Sequence, residues 1–200
     1  ESKLSRVFVS PDDGKVYYFG NYGKEAGGVR WSDTIQLDQA KKATREWLKE
    51  QIFKIADLTK GGGIRVDQAY ITFRDYIRAN WYGHLSDEAF EEIYPAAEDF
   101  WANIVPELKA KYPNIILLGE GYGGDVYESQ GKPVLEYGFD YYYEKQFERF
   151  LAAQNVDALK VLLQIISSTG ETQYIKFVEN HDIYSRIMTR LPEAAAKAAA

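Results

Sequence analysis

The chain has 200 residues, no cysteine, one methionine and a formal net charge of −6. The missing cysteine excludes disulfides and thiolate metal sites, and without a Lys/Arg run nothing draws the chain to nucleic acid or an anionic membrane surface. No window approaches the roughly 20 apolar residues of a membrane helix. The first residues, Glu-Ser-Lys-Leu-Ser-Arg, lack the apolar core of a signal peptide, which slightly favours a cytoplasmic setting.

Residues 1–38 are turn-rich, with Pro11-Asp12-Asp13-Gly14, Gly20-Asn21-Tyr22-Gly23 and Gly27-Gly28 separating short β-prone pieces such as 15–19. A helix is predicted over residues 39–58. Trp47, Leu48, Ile52, Ile55 and Ala56 supply its apolar stripe, and Gly61-Gly62-Gly63 ends it. A short apolar strand follows at 64–67. After a mixed, aromatic stretch comes a second helical region at 87–111, with Phe90, Ile93, Tyr94, Ala97, Trp101, Ile104 and Leu108 on its buried face. Pro95 and Pro106 should break or kink it.

Residues 114–119 read as a strand apolar on both faces, the pattern of a parallel strand covered by helices on one side. Further strands are expected at 137–141 and 174–178, with helices at 144–153 and 157–167 between them. Residues 193–200, EAAAKAAA, form a helix-favouring spacer. Strand–helix alternation of this kind predicts an α/β fold with a parallel sheet. The length falls short of the about 250 residues of a complete eight-stranded α/β barrel.

Three of the four strands end in a carboxylate: Gly63-Ile64-Arg65-Val66-Asp67, Leu117-Leu118-Gly119-Glu120 and Phe177-Val178-Glu179-Asn180-His181-Asp182. A lone acid after a strand is usually a helix cap or a turn residue. Three in succession would converge at the C-terminal rim of a parallel barrel, where active sites lie. Two carboxylates about 5 Å apart are what a retaining glycosidase needs. Arg65 shares a strand face with Asp67 by alternation, and its guanidinium would keep that carboxylate ionised. Asn180, His181 and Asp182 together offer hydrogen-bond donors and an acceptor for sugar hydroxyls; a satisfied structural histidine is the plainer reading of His181. Tyr70, Trp81, Tyr82 and Tyr122 lie near strand ends, as sugar-stacking platforms or as packing. His84 sits in a turn-like surface loop.

GIRVD, LLGE and FVENHD, in that order, resemble the fourth-, fifth- and seventh-strand motifs of glycoside hydrolase family 13, the α-amylase superfamily. The segment from Trp31 to Asp38 resembles the approach to the fourth strand, and Gly138-Phe-Asp-Tyr-Tyr-Tyr143 the sixth strand, so the likeness spans about residues 29–186.

The resemblance implies a TIM-type (β/α)8 barrel, here incomplete. Residues 1–38 would be the end of a domain inserted after the third strand, residues 39–192 about strands 4 to 7 of the catalytic barrel, and residues 193–200 a tail. It implies a retaining hydrolase or transglycosylase acting on α-glucosidic bonds of oligo- or polysaccharides by double displacement. Asp67 would be the nucleophile, Glu120 the general acid/base, and Asp182 the stabiliser of the distorted sugar. Arg65 would hold Asp67, and His181, Asn180, Tyr122 and Tyr70 would bind substrate.

The family's third-strand motif is absent, and so are recognisable first, second and eighth strands. A missing barrel half or partner chain is therefore expected. The alternative is an inactive fragment, or an engineered scaffold version of such a barrel, serving binding or assembly. Where the family often carries Lys-His after the nucleophile, this chain has Tyr70 and Ile71, so contacts to the leaving-group sugar should differ. The family's calcium site draws on the absent segment, so no metal or other cofactor is expected.

Overall fold

The computed structural model describes residues 3–18 and 33–120, with the backbone alone for residues 3, 4 and 70. It further describes the backbone of residues 128–129, 132–133 and 139–141, and the helical residues Asp157, Lys160 and Gln164. The helix expected at 144–153 and the strand expected at 174–178 lie outside the described residues.

The first long helix, α1 (Lys42–Leu58), starts three residues later than its pattern suggests. The cause is Asp38, buried at the turn before it. Its Oδ1 accepts from the Ala40 N–H at 3.2 Å and from the Tyr82 hydroxyl at 2.8 Å, and Lys41 pairs with it at 3.3 Å. A side chain that binds the backbone two residues on offers an alternative to the helical ladder. Inside α1, Leu48, Ile52, Phe53 and Ala56 face the core, whereas Ile55 is 45 % exposed. At about 100° per residue Phe53 and Ile55 flank the Leu48–Ile52–Ala56 line on opposite sides. The core cluster and Lys111 of α4 cover the Phe53 side, and the expected Ile55 is left in solvent.

Lys60 (φ 53°) and Gly61 (φ 72°) reverse the chain at the end of α1, and the Gly61 N–H closes onto the Ala56 carbonyl at 2.8 Å. The chain then enters β1 (Gly63–Val66). β1 pairs in parallel with β2 (Ile116–Gly119), Gly63 opposite Ile116 and Val66 opposite Gly119. In the 128–133 region β3 (Glu128–Ser129) and β4 (Lys132–Pro133) form a small antiparallel pair. On its other edge β2 pairs in parallel with β5 (Phe139–Tyr141). Among the described residues the main sheet therefore has the order β1-β2-β5. The class is α/β, with the parallel strands β1 and β2 joined by a helical crossover.

The crossover from β1 to β2 holds more helix than the sequence pattern suggests. A 3₁₀ turn at Ala69–Thr72 leads into α2 (Arg74–Trp81), in the stretch read as mixed. Phe73, Ile77 and Trp81, spaced by four, are its buried line.

The expected long helical region divides at Pro95 into α3 (Asp87–Ile93) and α4 (Phe100–Lys111). Ser86 Oγ caps α3 through the Ala89 N–H, and Asp99 Oδ1 caps α4 through the Ala102 N–H at 2.9 Å. Pro106 does not end α4 as expected. Its missing N–H costs one helical bond, but Ile104, Val105 and Leu108 on either side are buried against the sheet. Ala97, also assigned to the buried face, falls outside it beyond the break at Pro95, and Ile93, at the end of α3 before that break, is 44 % exposed beside buried Phe90 and Tyr94.

One core cluster, built on Ala56, Phe73, Phe100, Trp101, Ile104, Leu108, Ile115 and Leu117, fills the space between helices and sheet, with Ile64 and Val66 packed on it. Each fully buried large side chain there contributes about 2 kcal/mol of transfer free energy. The N-terminal segment joins by antiparallel bridges Val7–Leu37, Val9–Val16 and Tyr18–Ile35. It is anchored by buried Phe8, edge-on to Trp81 at 4.8 Å. No described helix is long and apolar enough to cross a membrane.

Gly61 aims the chain from α1 into β1, and a Cβ there would meet the Tyr112 ring at 2.5 Å in a left-handed backbone. Gly61→Ala is expected to lower stability by at least about 1 kcal/mol, read as a lower urea midpoint at unchanged slope.

Candidate active site

β1 and β2 run in the same direction and in register, so their C-terminal ends lie level. The ladder continues one step past the strands: the Glu120 N–H donates to the Val66 carbonyl at 2.9 Å. Asp67 and Glu120, the residues that follow the strands, thus emerge side by side. Ile64, Val66 and Leu117 point to the helix-covered core. Arg65, paired with Leu118, takes the opposite face by alternation.

From that face the Arg65 guanidinium spans both acids. Nη1 donates to Asp67 Oδ1 at 2.6 Å, and Nη2 lies 3.4 Å from Glu120 Oε2. The two carboxylates sit in different surroundings. The Asp67 side chain is 70 % exposed and the Glu120 side chain 8 %. Burial pushes the Glu120 carboxyl above the usual range. The Gln68 backbone N–H, donating to Oε2 at 2.8 Å, pulls the other way. The negative charge of Asp67 raises it further, and Arg65 lowers it. A buried carboxyl held toward its protonated form, beside an exposed carboxylate paired with arginine, is a division of acid and base between two like groups.

The segment after Asp67 is fixed to the core. Gln68 has φ 43°, and the next N–H, that of Ala69, donates to the Glu120 carbonyl at 3.2 Å. Ala69 is buried. Thr72 Oγ1 donates to the Ala69 carbonyl at 2.6 Å and accepts from Trp101 Nε1 at 2.7 Å. Gln68 was not singled out from the sequence, and no signal there marks it: a glutamine in the left-handed region is placed by its tertiary bonds.

Of the other candidates, Tyr122, Asn180, His181 and Asp182 lie outside the described residues, and Tyr70 has its backbone in the Ala69–Thr72 turn. Trp81 and Tyr82 are packing residues rather than platforms. Trp81 is 3 % exposed against Phe8, and Tyr82 lies between Phe8 and Phe90 with its hydroxyl on Asp38. His84 is exposed in a turn.

A groove of about 330 Å³ between α1 and α4 is separate from the strand ends. Its charges pair with one another, Arg45 with Glu98 and Lys49 with Glu107. Among the described residues no group of three or more His, Cys, Asp or Glu could hold a metal ion.

The folded-state pKa of Glu120 lies above its unfolded value. Its carboxylate therefore costs nothing below the ordinary glutamate range, and costs stability as pH rises through the raised pKa. Glu120→Gln keeps an acceptor for the Gln68 N–H and turns an amide toward Asp67. It is expected to melt higher than the parent at pH 7 to 8, and the two curves should merge as pH falls to about 4. A gap that is constant with pH would contradict the raised pKa.

Set against known proteins, the chain matches no family model, no curated protein and no solved structure.

Proposed function

We propose that the chain carries the nucleophile and the acid/base of a retaining α-glycosidic hydrolase or transglycosylase. The observation that carries this reading is the single guanidinium of Arg65 joined to two strand-end carboxylates, one exposed and one buried. A retaining mechanism needs an ionised nucleophile and a second carboxyl that stays protonated until the leaving oxygen departs. Asp67, exposed and paired with arginine, suits the first task. Glu120, buried and pushed up in pKa, suits the second.

Both acids reach one guanidinium, at 2.6 and 3.4 Å, and the motif resemblance points to double displacement rather than inversion. In the reaction Asp67 attacks the anomeric carbon while Glu120 protonates the departing oxygen. Glu120 then takes the proton from water or a sugar hydroxyl, which displaces Asp67. Asp182 and His181 would bind the sugar from the next strand ends, with Asn180, Tyr122 and Tyr70 on the substrate side. On this reading the parallel sheet is part of a (β/α)8 barrel, with β1, β2 and β5 as its fourth to sixth strands. The motifs GIRVD, LLGE and FVENHD support that assignment.

Asp67→Asn in the complete active protein is expected to lower turnover of α-glucosides by about 10³-fold or more, with the far-UV circular dichroism unchanged. A fluorinated α-glucosyl substrate that accumulates the intermediate should add its sugar mass to the peptide containing Asp67. Near-parental turnover by Asp67→Asn would reduce the trio to an ion-pair latch between two strands, as the scaffold reading requires. Product analysis with a sugar acceptor separates hydrolysis from transfer.

A further inference from the structure

Gln68 stands out because three independent features meet on it. Its φ of 43° is left-handed, a region glutamine occupies only when surrounding bonds hold it there. Its N–H and that of Ala69 are both spent on one residue, Glu120: the first on the side-chain oxygen Oε2 at 2.8 Å, the second on the main-chain oxygen at 3.2 Å. Its own side-chain oxygen, Oε1, is buried without a hydrogen-bond partner among the described residues. A buried amide oxygen without a partner is a cost. The segment's backbone geometry is therefore set by the Glu120 contacts and not by the comfort of the glutamine side chain.

We infer that Gln68 is a positioning residue for Glu120: its left-handed backbone aims one N–H at Oε2, and that leaves Oε1 as the oxygen that carries and delivers the proton. The inference rests on the reading of Glu120 as the acid. Arg65 Nη2, 3.4 Å from the same Oε2, adds a second donor on that side. An oxygen facing two donors cannot also hold a proton toward them, so the protonated carboxyl has one orientation. Its O–H projects from Oε1, and its carbonyl-like Oε2 accepts from the backbone. The work is done by the peptide N–H, so side chains at position 68 that tolerate positive φ should substitute for glutamine.

The test separates proton delivery from folding and from nucleophilic attack. In the complete active protein, Gln68 is replaced by its α-hydroxy acid analogue, which turns the Asp67–Gln68 amide into an ester and deletes this N–H alone. Two substrates are compared: an α-glucoside with a sugar leaving group, which needs protonation, and α-glucosyl fluoride, which needs little. The ester protein is expected to lose about tenfold or more in kcat/KM on the glucoside and to keep the fluoride rate within about twofold. Gln68→Gly, which keeps the N–H at positive φ, should hold the parent's ratio of glucoside to fluoride rates. A selective loss on the glucoside would mean that the side chain and not the N–H does the positioning.

Equal losses on the two substrates, or none on either, would overturn the assignment. Should the ester protein not fold, Gln68→Val, strained at positive φ, decides in its place: selective loss on the glucoside supports the assignment, and parallel loss overturns it. If Asp67→Asn turns over the fluoride as fast as the parent, the paired-carboxylate reading itself fails, and the assignment falls with it.

Discussion

The in-register pairing of β1 with β2 is the constraint on which the rest of the site depends. With Gly63 opposite Ile116, the chain leaves both strands at the same level, and the first residue after each is acidic. Side chains alternate along a strand, so a slip of one residue would turn Glu120 toward the apolar core and Leu117 out of it. That slip would bury a carboxylate among Phe73, Trp101 and Leu108, at a cost no nearby cation could offset. The apolar packing of Leu117, Ile64 and Val66 therefore selects the register, and the register brings the two acids together. Stability and site geometry are specified by the same few side chains.

Arg65 resolves the electrostatic problem the register creates. Two carboxylates gathered at one guanidinium repel when both are ionised, and one of them is shielded from water. A lysine in this place could offset the charge but could not reach two acids with separate nitrogens in a planar fork. The guanidinium binds the exposed acid closely, at 2.6 Å, and the buried one loosely, at 3.4 Å. The asymmetry leaves Glu120 governed chiefly by burial.

Much of this arrangement was legible in the letters. The strand patterns at 64–67 and 114–119, with acids at 67 and 120, named the strands and the level of their tips. Alternation put Arg65 on the face of Asp67. Other features were not legible, for identifiable reasons. α2 hides in an aromatic stretch because the helix is only eight residues long and starts without a side-chain cap. Pro106 reads as a helix end, yet tertiary burial of its neighbours outweighs one lost backbone bond. Ile55 and Ile93 are apolar at helical spacing and exposed, because which flank of a stripe is covered depends on the tertiary neighbours and not on the helix alone. The role of Gln68 is invisible in sequence, since its backbone angle and not its side chain does the work.

The bonds that fix the chain after Asp67 also bear on how a ligand could be admitted. Thr72, held by Trp101 and holding Ala69, ties this stretch to the most buried part of the protein at two points within four residues. A segment secured in this way pays its ordering entropy once, during folding, and not again at each encounter. It behaves as a rigid floor rather than a hinged cover. Any rearrangement around a bound ligand would then come from other parts of the rim, with the strand tips carrying Asp67 and Glu120 held in place by the core.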